Sequence, residues 1–158
     1  LTIARHPSET DERLMVRIIA FALYANDALS FGRGISNTDE PALWQHHDNG
    51  SIERWIELGQ PDPDRVRKAC GRAQQVQVIG YGGSATALWW QKNAQKLARS
   101  KNLDVIELPQ QQCRQLLPLV QRNMQLNCTI QDGEMWIGDD QHNINLQPVS
   151  LLSASDPA

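Results

Sequence analysis

Apolar positions recur along this chain with two different periods. Between residues 8 and 26, Met15, Ile18, Ile19, Ala22 and Leu23 fall at helical spacing and form a broad stripe, which predicts a buried helix. Ser8 is placed to cap it, with Glu9 and Asp11 in the first turn at the positive end of the helix dipole. Residues 29–35 (LSFGRGI) predict a short strand, followed by a polar turn over 36–39. ALWQHH and SIERWIEL then flank Asn49-Gly50, a strong hairpin signal. Pro61 stops the second of these strands, and Asp62 caps a helix with Pro63 at its first position, running through DRVRKACGRAQQ. VQVIGYG predicts a strand, GGSAT opens the helix ALWWQKNAQKLAR, and LDVIELP predicts a further strand. A Gln-rich helix over 110–123 is expected to bend or break at Pro118. LNCTIQDGEMWIG contains a second hairpin turn at Asp132-Gly133, INLQPVSL adds one more strand, and 153–158 is expected to be a disordered tail.

The order is therefore helix, three strands, helix, strand, helix, strand and a terminal hairpin. Strands alternating with helices after a meander imply one α/β domain over 1–152, with a mixed sheet covered on both faces. The 158 residues suffice for one core. The net charge of −3 provides no global basic field, so contact with DNA or RNA would rest on a local patch. Arg65, Arg67, Lys68 and Arg72 on one short helix are the candidates, against the alternative of a solvated helix face. No run reaches eighteen apolar residues, so no membrane-spanning helix is expected. Three distant cysteines without metal-ligand spacing read as reduced thiols in a cytoplasmic protein. The chain lacks an initiator Met, and a leading segment is expected to be missing.

The hairpin places the acids. With Asn49 and Gly50 as the two turn residues, Trp44 lies opposite Trp55, Ala42 opposite Glu57 and Glu40 opposite Gly59. Side chains alternate along a strand, so Glu40 and Glu57 share a face as diagonal neighbours about 7 Å apart, a separation at which two carboxylates hold one divalent cation. Two solvated glutamates at a sheet edge are the alternative. Glu12 continues the apolar stripe of the first helix, so it needs a cation, hydrogen bonds, or a salt bridge to Arg5, Arg13 or Arg17. His46 and His47 point to opposite faces by alternation and cannot grip one metal.

The runs Arg5-His6-Pro7-Ser8-Glu9-Thr10, Asp39-Glu40-Pro41 with Trp44, and Trp55-Ile56-Glu57-Leu58-Gly59 resemble the YaeQ family of bacterial proteins, as do Pro61-Asp62, Arg65 with Lys68-Ala69-Cys70, and Ile130-Gln131-Asp132-Gly133. The resemblance covers nearly the whole chain and implies a restriction-endonuclease-like mixed sheet flanked by helices, the fold of PD-(D/E)XK nucleases. It also implies an additional N-terminal segment that supplies a strand. Glu57 matches the acid of the superfamily's acid-x-Lys triplet, Glu40 or Asp39 the carboxylate of the preceding strand, and Glu12 or Glu9 the acid of the first helix. Gly59 stands where the triplet has lysine, which makes Lys68 the substitute, with its amine directed toward Glu57, and Arg65 the next choice. What the resemblance implies is a divalent-metal-dependent nuclease: Asp39, Glu40 and Glu57 on Mg²⁺ or Mn²⁺, Glu12 and Lys68 assisting, Arg65 and Arg67 on the substrate. The alternatives are a catalytically silent relative that binds nucleic acid or a protein, and a small-molecule phosphoesterase using the same carboxylates.

Overall fold

Thr10, rather than Ser8, caps the first helix. In the computed structural model, which describes residues 3–34 and 39–154, Thr10 is extended and its side chain accepts from Arg13 N at 3.1 Å. Ser8 instead donates its N–H to His6 Nδ1 at 3.1 Å, with its Oγ 2.6 Å from the same nitrogen. Helix α1 (Asp11–Leu23) stops short of the expected Asn26, whose side chain bonds the Tyr24 carbonyl and the Ala28 N–H and so competes with helical pairing.

Strands β1 (Leu29–Phe31), β2 (Leu43–His46) and β3 (Ile52–Leu58) form an antiparallel meander. The connection between β2 and β3 is longer than the two-residue turn expected. The His47 carbonyl accepts from Gly50 N at 2.9 Å, His47 N donates to Ser51 O at 2.8 Å, and Gly50 takes φ +87°. An irregularity between Gln45 and His46 absorbs the extra residue and restores the expected pairs Leu43↔Ile56 and Trp44↔Trp55. Asp62 then caps α2 (Pro63–Arg72) by accepting from Asp64 N, with Pro63 at the helix start as expected.

Helix α2 ends earlier than its sequence suggests. Residues 73–75 begin β4 (Ala73–Gly80), which pairs in parallel with β3 from Ile52↔Ala73 onward, so sheet pairing overrides helix propensity. Helix α3 (Ser84–Leu97) returns the chain to β5 (Leu103–Glu107), parallel to β4. The Gln-rich segment forms only a short α4 (Gln110–Arg114) and a 3-10 turn at Leu117–Leu119 that contains Pro118, where the break was expected, and the helix does not resume. Asp132 (φ +54°) and Gly133 (φ +79°) turn β6 (Asn127–Gln131) into β7 (Glu134–Gly138), as expected. The last predicted strand is two. At Gln147-Pro148 the chain leaves β8 (Asn143–Leu146), the third strand of a small sheet β6-β7-β8, for β9 (Val149–Leu152), which pairs antiparallel with β5.

The main sheet, ordered β1-β2-β3-β4-β5-β9, is thus mixed, in an α/β arrangement. One face buries Trp55, Val76, Val78 and Val105 beneath Val66 and Ala69 of α2 and Trp89 and Leu97 of α3. The other buries Leu43, Ile56 and Ile79 beneath Met15 and Ile19 of α1, together with Cys113 of α4 and Met135 and Ile137 of the small sheet. Among the described residues no helix is long and apolar enough to cross a membrane. The expected turn at 36–39 falls mostly outside the described residues, as do residue 35 of the first strand and 155–158 of the tail.

Candidate functional site

Alternation along β3 sends Ile56 and Leu58 toward α1, and Trp55 and Glu57 toward α2. Glu57 is buried, and its Oε1 accepts from Trp55 Nε1 at 2.8 Å and from Arg65 Nε at 2.7 Å. Arg65 Nη2 also donates to the Glu40 carbonyl at 2.8 Å, so one guanidinium ties the end of β3 to the segment that leads into β2. The start of α2 at Asp62-Pro63 fixes this placement, because it puts Arg65 in the first turn, immediately beyond the strand end.

Arg65, and not Lys68, therefore faces Glu57. Val66 and Ala69 are the buried positions of α2 and define its inner direction. At 100° per residue Arg65 lies about 70° from that direction and Lys68 about 130° from it, and Lys68 is exposed. Gly59, where the triplet lysine was expected, has φ +85° as β3 ends, a conformation that favours glycine. Arg67 is exposed and pairs with Asp64 at 2.8 Å. Arg72 lies over the Trp55 ring, 5.2 Å from its centroid, and Trp55 in turn meets Trp44 edge to face at 5.9 Å.

Of the remaining acids, Glu40 joins this group through its backbone carbonyl. Pro41 separates Glu40 from β2, and Glu40 Oε2 is 3.9 Å from Arg33 Nε, while the neighbouring Asp39 is exposed. Glu12 belongs to α1, on the opposite face of the sheet from Glu57. Its Oε1 is buried with no hydrogen-bond partner among the described residues. Burial, and secondarily the charge of Glu12, push the Cys113 thiol of α4 up to about 12. Among the described residues no three His, Cys, Asp or Glu side chains converge to hold a metal ion. In this arrangement Glu57 neutralises a guanidinium and Glu12 lies on the other side of the sheet, so these two acids do not meet at one Mg²⁺ or Mn²⁺.

A second charged cluster was missed by the sequence reading, which assigned the nearby arginines to Glu12. They serve Glu9 instead. The Glu9 side chain is 1% exposed, Arg17 Nη2 meets its Oε1 at 2.7 Å, and Arg13 Nε lies 3.6 Å from its Oε2. Arg17 Nη2 also donates to the Ala4 carbonyl at 2.8 Å and Arg5 Nη2 to the Glu9 carbonyl at 3.0 Å. The signal lay in the spacing: Glu9, Arg13 and Arg17 follow one another at intervals of four, along one face of a helix and its entry.

Residues 1–148 match the family model described as YaeQ protein. The chain is 45% identical to the YaeQ protein of Salmonella typhi over 93% of its own length and 81% of the relative's, and 43% identical to that of Escherichia coli K12 over 100% and 86%. Its fold is similar to the crystal structure of YaeQ from Xanthomonas axonopodis pv. citri, with TM-score 0.94 and 53% identity over 97% of this chain and 86% of that one. The YaeQ structure from Pseudomonas syringae superimposes with TM-score 0.92 at 35% identity, over 97% and 84% of the two chains. Sequence and fold agree along nearly the whole chain, which belongs to the YaeQ family.

Proposed function

We propose that this chain is a catalytically silent relative of the PD-(D/E)XK nucleases, using a restriction-endonuclease-like core to bind nucleic acid. The observation that carries the reading is the 2.7 Å contact between Arg65 Nε and Glu57 Oε1. A metal-binding carboxylate needs its charge and lone pairs free, and here a guanidinium offsets the charge while it and an indole N–H both occupy Oε1. A divalent cation brought to Glu57 would also meet the positive charge of Arg65 at contact distance. The order α1-β1-β2-β3-α2-β4 supports the fold part of the proposal. The outer surface of α2 offers Arg67, Lys68 and Arg72 for phosphate contacts, with Trp55 held beneath Arg72. Three free cysteines fit a cytoplasmic setting.

Anisotropy titrations with single- and double-stranded oligonucleotides test this reading. Two or three phosphate contacts should weaken binding by roughly 10–40-fold between 50 and 200 mM salt, and no cleavage should accompany binding in Mg²⁺ or Mn²⁺. The position of Glu57 on β3, two residues before Gly59, favours a second reading: a nuclease with Mg²⁺ or Mn²⁺ on Glu40 and Glu57. Mn²⁺-dependent cleavage that Glu57→Gln removes would replace the first reading with the second. Absence of any oligonucleotide binding would leave a protein as the partner of the fold.

A further inference from the structure

The cluster around Glu9 is the wall of a cavity of about 320 Å³ lined by Arg5, His6, Glu9, Arg13, Arg17 and Arg33, among others. Two of these arginines carry unmet donors. Arg17, with its side chain only 9% exposed, and Arg13, at 18%, each have a buried Nε without a hydrogen-bond acceptor among the described residues. The 3.6 Å between Arg13 Nε and Glu9 Oε2 is too long for a hydrogen bond. A buried N–H left unpaired is costly, so such groups are normally matched by an acceptor.

Charge points the same way. Arg5 is matched by Asp11 at 2.6 Å and Arg33 by Glu40 at 3.9 Å, while Arg13 and Arg17 share the single carboxylate of Glu9. The surplus positive charge is therefore localised on the two arginines with unmet donors. Both guanidiniums line the cavity, and an anion with oxygens in more than one plane can accept from the two flat forks at once. A phosphate monoester brings three such oxygens and up to two negative charges, whereas a carboxylate brings two oxygens and one charge.

We propose that this pocket binds a phosphomonoester, presented by the end of a nucleic-acid strand, with Arg13 and Arg17 as its principal donors and Arg5 at the rim. Glu9 is the positioning residue that holds the two guanidiniums. The strand-end source rests on the nucleic-acid reading above; the phosphate site itself does not. One stretch of chain joins the two regions: Ala42 lines the pocket, and the nearby Glu40 carbonyl receives Arg65.

The test uses the full chain and one oligonucleotide sequence with a 5′-phosphate, with a 3′-phosphate and with neither, alongside adenosine monophosphate and inorganic phosphate in calorimetry. A terminal phosphate should tighten oligonucleotide binding at least tenfold. Arg13→Gln should erase that gain without changing affinity for the unphosphorylated strand, and Arg13→Lys should keep part of it. Arg5→Gln, at an exposed position, is the second variant should Arg13→Gln not fold, and should reduce the gain about threefold. Equal binding of phosphorylated and unphosphorylated strands, with no Arg13-dependent binding of the monophosphate or of inorganic phosphate, overturns the pocket and leaves the nucleic-acid reading standing. Arg13-dependent binding of adenosine monophosphate with no oligonucleotide binding supports the pocket, names a free nucleotide as its source, and overturns the nucleic-acid reading.

Discussion

Glu9 and Glu57 are both buried carboxylates with an arginine at 2.7 Å, one on each side of the main sheet. Their surroundings close differently. At Glu57 one acid meets one base, and Arg65 Nη2 donates to the Glu40 carbonyl. At Glu9 one acid meets two bases, and two buried Nε–H groups are left over beside an open cavity. Burial is similar at the two acids; what differs is the ratio of charges and of donors to acceptors. The balanced cluster is a structural joint, and the unbalanced one is poised to accept a ligand.

Removing the arginine from each pair is the largest perturbation of this comparison. Arg17→Ala takes the 2.7 Å partner from a fully buried carboxylate, leaving Arg13 at 3.6 Å, and should cost about 3–5 kcal/mol in urea denaturation. Arg65→Ala should cost less, about 2–3 kcal/mol, because the Arg65 side chain is 22% exposed and Trp55 Nε1 still serves Glu57. Equal losses would mean that the two joints are alike after all. Replacing both partners sharpens the contrast. Glu57→Gln with Arg65→Met, which keeps an acceptor for Trp55 Nε1, should fall within about 1 kcal/mol of the native stability, whereas Glu9→Gln with Arg17→Met should remain clearly destabilised because Arg13 then loses the one acid that meets it among the described residues.

The smallest effect concerns the third carboxylate, Glu12, and its neighbour Cys113. The thiol value is raised to about 12 from an ordinary 9.0, so the folded state resists ionisation that the unfolded chain undergoes. This contribution is complete below pH 9 and is lost as pH rises toward 12, and Tyr24, also raised to about 12, acts in the same sense. Alkylation by iodoacetamide should reach exposed Cys128 first and buried Cys113 last. Glu12→Gln should move the Cys113 alkylation midpoint to lower pH, and an unmoved midpoint would remove Glu12 from its environment.

Local chemistry was legible in the sequence. The Asp62-Pro63 helix start, the Asp132-Gly133 turn and the Trp44–Trp55 pair follow from turn and cap preferences that neighbouring residues decide. The Trp44–Trp55 pair came out right even though the turn beyond it is one residue longer, because a bulge compensated. Partners distant in sequence decided the rest. Parallel pairing with β3 turned residues 73–75 from helix to strand, and β5 drew residues 149–152 away from the small sheet. At the candidate site the acid on β3 was identified and its cation was named only as the second choice, since deciding between Lys68 and Arg65 depends on the rotation of α2 over the sheet. Glu9 was given a place in the first turn, yet its burial depends on how the N-terminal segment folds back over Arg17.

Helix α2 passes into β4 with no residue between them, since Arg72 ends one and Ala73 begins the other. Ala73 N still bonds the Ala69 carbonyl, and Asn102 Nδ2 braces the corner by donating to the carbonyls of Cys70 and Ala73 at 2.9 and 3.0 Å. Mechanically this is a lever welded at one end to a central strand. Conformational changes that open a site rotate about a few residues free to alter their torsions, and at this corner those hydrogen bonds restrain the backbone on both sides of Gly71. Moving α2 as a body away from Glu57 would mean flexing β4 against both of its parallel neighbours, so the stiffness of the sheet fixes the backbone from which Arg65 reaches.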